Sequence, residues 1–314
     1  MRLKIFYAFL FIFVIITPRI INAVIMPDRN IMLNPLSHKT GSASLQFIPG
    51  AGGWAELDRF TGIAGDSDHS FDVMLGAAAE LFRLGDDFDF TVSSDVELVA
   101  TPDSPIYFNP RALFWQESFQ FGAAPGSSFI HLGYVHRCRH DVDNIEVEDN
   151  TGERRELVLI YDSIFARWIP GAIIPGPSPR LPLLTRFYLR ADLFVLKTDE
   201  RSMVLPDKNI NNLRTGLSAG IDTIVADTKM GLVYARFGCS VYSFADRWNI
   251  SSAEYRELSA DYSAEAGLLL PGAAGDLALF VNFSRQGMTM INPRNESRSF
   301  LSFGVRLRAG AMYN

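Results

Sequence analysis

The property that most restricts how this chain can fold is an alternation of apolar and polar residues with a period of two. In Arg298–Tyr313, the residues Leu301, Phe303, Val305, Leu307, Ala309, Ala311 and Tyr313 share one face, while Ser302, Gly304, Arg306, Arg308 and Gly310 share the other. In Phe88–Ala100, the residues Phe88, Phe90, Val92, Val96 and Leu98 oppose Asp89, Thr91, Ser93, Asp95 and Glu97. A strand of this kind needs apolar surroundings on one side and polar surroundings on the other.

The amino terminus says where such strands could find both. Arg2 and Lys4 precede an unbroken apolar run, Ile5–Ile16, followed by Pro18 and the small residue Ala23. The run is shorter than the roughly twenty residues of a membrane-spanning helix, so residues 1–23 read as a cleaved secretory signal, with a retained anchor as the other reading. No cysteine follows the run, which removes the lipoprotein version of that signal. An exported chain built mostly of alternating strands predicts an all-β fold, a transmembrane antiparallel β-barrel in a bacterial outer membrane, apolar outward and polar inward. A secreted β-sandwich also has alternating strands, but it buries only one face of each sheet.

Turn chemistry divides the remainder into a periplasmic lead-in over residues 24–41 and a barrel over residues 42–314. Strands are expected at Ser42–Ile48, Phe71–Leu84, Phe88–Ala100, Arg111–Gly122, Ser128–His140, Arg154–Trp168, Leu183–Leu196, Asn212–Val225, Lys229–Tyr242, Leu258–Leu270, Leu277–Arg285 and in the last stretch, about twelve in all. Short connections at Gly85–Asp87, Ala123–Ser127, Ala226–Thr228 and Pro271–Asp276 alternate with longer ones, and Ile169–Pro182 is the exception. Short periplasmic turns and longer external loops are the expected asymmetry of such a barrel. Trp115, Tyr134, Trp168, Tyr188, Tyr242, Tyr262 and Tyr313 sit where interfacial aromatic girdles are expected. The partners are then outer-membrane lipids and, during biogenesis, the barrel-assembly machinery. A formal net charge of −6 without a basic stripe argues against nucleic acid. The two cysteines, Cys138 and Cys239, are too few to read as a disulfide framework.

One dense polar constellation stands out, Gly133–Asn144, with the order Gly-Tyr-Val-His-Arg-Cys-Arg-His-Asp-Val-Asp-Asn. In an extended strand His136, Cys138 and His140 lie on one face, about 7 Å between successive members. Arg137 and Arg139 take the other face. Arginine facing lipid is costly away from the interface, so the arginines are expected inward with His131, and the trio outward near the external end. Three readings fit the trio: a nucleophile with its base, a metal site completed by Asp141 or Asp143, and a polar strand end at the interface. The acidic loop from Asp141 to Glu153 offers carboxylates for calcium, although Glu146 stands where an EF-hand needs glycine; a solvated loop is the other account. Inward-facing Asp89, Asp95, Glu97, Arg306 and Arg308, with Arg190, Asp192, Asp261 and Glu265, are expected to line a pore or to fill the lumen with ion pairs.

The run Gly133-Tyr134-Val135-His136-Arg137-Cys138 resembles the strand signature of the outer-membrane phospholipase A family, twelve-stranded barrels that use calcium and dimerise. The resemblance implies His136 as base and Cys138 as nucleophile where the family has serine, with Asn144 or Asn150 orienting the histidine. His140 replaces the family's following glycine. A second resemblance, carried by Asn34-Pro35-Leu36, Leu81–Gly85 and His136-x-Cys138-x-His140-Asp141-x-Asp143, is to an uncharacterised outer-membrane family with a His-x-Ser-x-His-x-x-Asp signature; it implies no activity. The expectation is an outer-membrane barrel serving as a structural element or small-solute channel, with a lipid-acting hydrolase as the alternative. No cofactor is expected apart from calcium.

Overall fold

The computed structural model describes residues 33–37, 40–61, 69–102, 108–141, 147–148, 154–155, 158–170, 185–199, 213–244, 257–286 and 298–310. The strands are β1 (Leu45–Thr61), β2 (Phe71–Leu84), β3 (Phe88–Thr101), β4 (Asn109–Ala123), β5 (Phe129–Asp141), β6 (Val147–Glu148), β7 (Arg154–Arg155), β8 (Val158–Ile169), β9 (Thr185–Asp199), β10 (Leu213–Thr228), β11 (Gly231–Phe244), β12 (Glu257–Pro271), β13 (Gly275–Gln286) and β14 (Arg298–Gly310). Twelve of them close into one antiparallel barrel in which β14 returns to pair with β1. β6 and β7 form a separate two-stranded ladder within the β5–β8 connection. Closure leaves no unpaired sheet edge, the condition for strands to cross a bilayer.

The alternation is obeyed as read. In β3 Asp89, Thr91, Ser93, Asp95 and Glu97 are buried inside, and in β14 Phe303, Val305 and Leu307 are exposed outside. Leu75, Phe119, Phe121, Leu132, Ile164, Leu217 and Leu279 continue the outward apolar belt. Apolar outside and charged inside inverts the pattern of a water-soluble barrel and suits a membrane-spanning one. One end carries short turns, including Gly85–Asp87, where Gly85 takes φ 61°. The opposite end carries the longer connections.

Ion pairs line the described lumen. Arg306 forks onto Glu265 with both bonds at 2.9 Å and also pairs with Glu56, while Tyr234 donates to Glu265 at 2.7 Å. Arg236 joins the same cluster through Glu265 at 3.7 Å and pairs with Asp222 at 2.7 Å. Arg137 reaches Glu97 at 2.5 Å, Arg190 reaches Asp192 at 2.7 Å, and Arg308 forks onto Asp276.

The lead-in does not stay outside the barrel. Leu33–Ser37 lies within the lumen at the short-turn end, where Leu33 packs with Trp54, Met74 and Ala78. Burying each leucine there contributes about 1.5–3 kcal/mol.

Three strand-level expectations change. The first strand begins at Leu45 and runs through Gly50–Gly53 to Thr61, because Gly52 and Gly53 have a partner on each side, Gly52 facing Ala78 and Gly310; ladder pairing overrides their poor strand propensity. The stretch Arg154–Trp168 divides into β7 and β8. Tyr188 and Tyr242 point inward and are buried; Tyr188 has the same parity as Arg190 and Asp192, so it follows them into the lumen.

Candidate functional site

On β5 the buried inward residues are His131, Val135, Arg137 and Arg139, and the outward set is Ile130, Leu132, Tyr134, His136, Cys138 and His140. The orientation expected from the cost of outward arginine is therefore the one found. Arg137 is held inside by Glu97 and Gln116 and lies over the Phe114 ring, 4.9 Å from its centroid. Pinning that side chain fixes the rotation of the strand, which is what presents His136 on the outer wall.

Two neighbouring strands complete the outer cluster. The antiparallel register places His136 between Glu117 of β4 and Asp162 of β8, and Cys138 between Trp115 and Ile160. His136 Nδ1 lies 2.6 Å from Asp162 Oδ1, with the two side chains 31% and 9% exposed. The hydroxyl of Tyr134 lies beside Asp162 as well. On the other flank, Trp115 Nε1 donates to Glu117 Oε1 at 2.6 Å. The ladder between β8 and β9 slips one position between Asp162 and Ser163. Bulges of this kind re-aim side chains beside functional sites.

The chemistry of the pair follows from which nitrogen is engaged. A carboxylate beside Nδ1 accepts its proton, so Nε2 carries the lone pair and can act as a base. Cys138 is buried and free, its sulfur beside the backbone of Trp115, and it makes no hydrogen bond to His136 in this structure. His140 is exposed. Cys239 is a free, exposed outward residue of β11, and no disulfide joins it to Cys138.

The structure thus brings His136, Cys138 and His140 to one outer face and places Asp89, Asp95 and Glu97 inward and buried. Arg306 and Arg308 also face inward, half-buried. Asp143, Asn144 and Asn150 lie outside the described residues, as does the calcium-binding role considered for their loop; Asp141 ends β5. Among the described residues no cluster of three or more His, Cys, Asp or Glu side chains is arranged to hold a metal ion. The residue that engages the histidine is Asp162, which the sequence reading passed over, together with Glu117. Each left a signal: Asp162 interrupts the apolar series Ile160, Ile164, Ala166, Trp168, and Glu117 stands between Trp115 and Phe119.

No family model matches the chain, and no curated protein matches it. Among solved structures, outer membrane phospholipase A from Escherichia coli aligns at 12% identity over 83% of this chain and 97% of its own, with a TM-score of 0.42. LpxR from Salmonella typhimurium aligns at 8% identity over 82% and 99%, TM-score 0.41. An outer membrane channel from Pseudomonas putida F1 aligns at 10% identity over 87% and 99%, TM-score 0.44. At these identities and TM-scores the alignments select no activity.

Proposed function

We propose that this chain is an outer-membrane protein of a double-membraned bacterium, exported by a signal over residues 1–23, and that its outer wall hydrolyses acyl esters of the surrounding lipid. The observation that carries this reading is the 2.6 Å contact between His136 and Asp162 on the outward face. Ionisable groups facing lipid are costly and mark function by default.

The roles follow from position. Asp162 holds the imidazole by Nδ1, and Tyr134 holds Asp162. His136 Nε2 takes the proton of the Cys138 thiol once a side-chain rotation brings the two together; catalytic hydrogen bonds often tighten only with substrate present. The thiolate sulfur bonds to the ester carbonyl carbon, the carbon–oxygen bond breaks, and the alcohol leaves with the proton from Nε2. Water, deprotonated by the same nitrogen, then cleaves the thioester to release the fatty acid and restore the thiol.

The test is to trap the intermediate. Refolded protein mixed with a long-chain p-nitrophenyl ester in detergent micelles should gain one acyl group on Cys138 by mass spectrometry, removable by neutral hydroxylamine. The adduct should vanish in Cys138→Ala and in His136→Ala, while Cys138→Ser should keep its hydrolysis. An adduct that forms equally in His136→Ala, or none on folded protein, would remove the proposal.

A further inference from the structure

The segment that enters the lumen is held in a way its sequence does not announce. Arg167 Nη2 donates to the carbonyl of Leu33 at 2.9 Å, and Arg83 Nη2 donates to the carbonyl of Pro35 at 2.7 Å. Each guanidinium is also tied to the wall, Arg167 to Gln120 at 2.9 Å and Arg83 to Glu80 at 2.5 Å and 2.9 Å. The arginines therefore bridge barrel and segment. Arg83 can do this because the β2–β3 ladder slips between Glu80 and Phe82, which turns Arg83 to the same side of the wall as Glu80.

Apolar packing and a rim contact complete the fit. Leu36 is fully buried, Leu33 is 3% exposed, and Leu33 rests against Trp54. Room for Trp54 comes from Gly76, where an added Cβ would fall 2.1 Å from the indole ring. Past the segment, Asp86 in the β2–β3 turn accepts from the backbone N–H groups of Thr40 and Gly41 at 2.7 Å and 3.1 Å, fixing the chain where it leaves the mouth. The two arginines bind neutral carbonyl oxygens, so these anchors are hydrogen bonds that water can replace and not charge pairs.

We propose that Leu33–Ser37 is a displaceable plug that closes the short-turn mouth of the lumen, and that its release opens a path for small ions. The site would then have two states set by one short segment. The inference is independent of the outer-wall chemistry.

Two measurements on the full chain test it. In planar bilayers the parent protein should be silent, whereas deletion of residues 33–37 and the double variant Arg83→Gln/Arg167→Gln should conduct. Heat-modifiable gel mobility establishes that each variant is folded. In parallel, Leu36→Cys should react with a membrane-impermeant maleimide about tenfold or more slowly than Ser44→Cys, with the parent cysteines as background, and the double arginine variant should remove that protection. A folded deletion variant that stays silent would overturn the proposal, as would a Leu36→Cys thiol that labels as fast as Ser44→Cys.

Discussion

His136 and Arg137 are adjacent in the chain and lie on opposite sides of one barrel wall, each paired with a carboxylate. Inside, Arg137 meets Glu97 and Gln116 among other buried charges. Outside, His136 meets Asp162 in a belt of leucine, isoleucine and phenylalanine. The inner pair satisfies a need of folding, since every inward polar group in a closed lumen must find a partner. The outer pair satisfies no such need, because an apolar residue at either position would match its neighbours and the lipid. The contrast separates polar groups that hold the barrel up from polar groups that the barrel holds out.

The largest effect expected from breaking that contrast is on the inner side. Replacing Glu265 by leucine leaves Arg306 and Arg236 without their shared carboxylate, and should cost about 3–5 kcal/mol in unfolding by denaturant in detergent. Outward, the same measurement should change sign: the double variant His136→Leu/Asp162→Leu should unfold about 1–2 kcal/mol later, because a polar pair facing lipid is removed. A comparable loss in both would erase the distinction. The smallest effect sharpens the assignment within the outer cluster. Tyr134→Phe removes the hydroxyl beside Asp162 and should lower lipid hydrolysis by about tenfold or less, with the unfolding midpoint unchanged.

Much of this wall was legible in the sequence. Period-two alternation gave the barrel, its strand count and the parity of β3 and β14, and the cost of outward arginine gave the facing of His136, Cys138 and His140. Asp162 was not legible because strand pairing across the long β5–β8 connection is set by three-dimensional register, which spacing along the chain does not report. The expectation of Asn144 or Asn150 in that role came from the family resemblance. Leu33 was not legible for a related reason: a short irregular segment is given its place by two arginines far away in the chain, Arg83 and Arg167. Gly50–Gly53 misled in the other direction, since local composition marks a turn while two neighbouring strands impose the ladder.

The measurement that tests the central claim most directly is phospholipid hydrolysis by refolded protein in detergent micelles, with and without calcium, beside Asp162→Asn. The account predicts hydrolysis by the parent chain and a loss of about 100- to 10,000-fold in Asp162→Asn, as for removal of the carboxylate that orients a catalytic histidine, at unchanged stability. Hydrolysis indifferent to Asp162→Asn, or no hydrolysis by protein with the heat-modifiable mobility of a folded barrel, would contradict it.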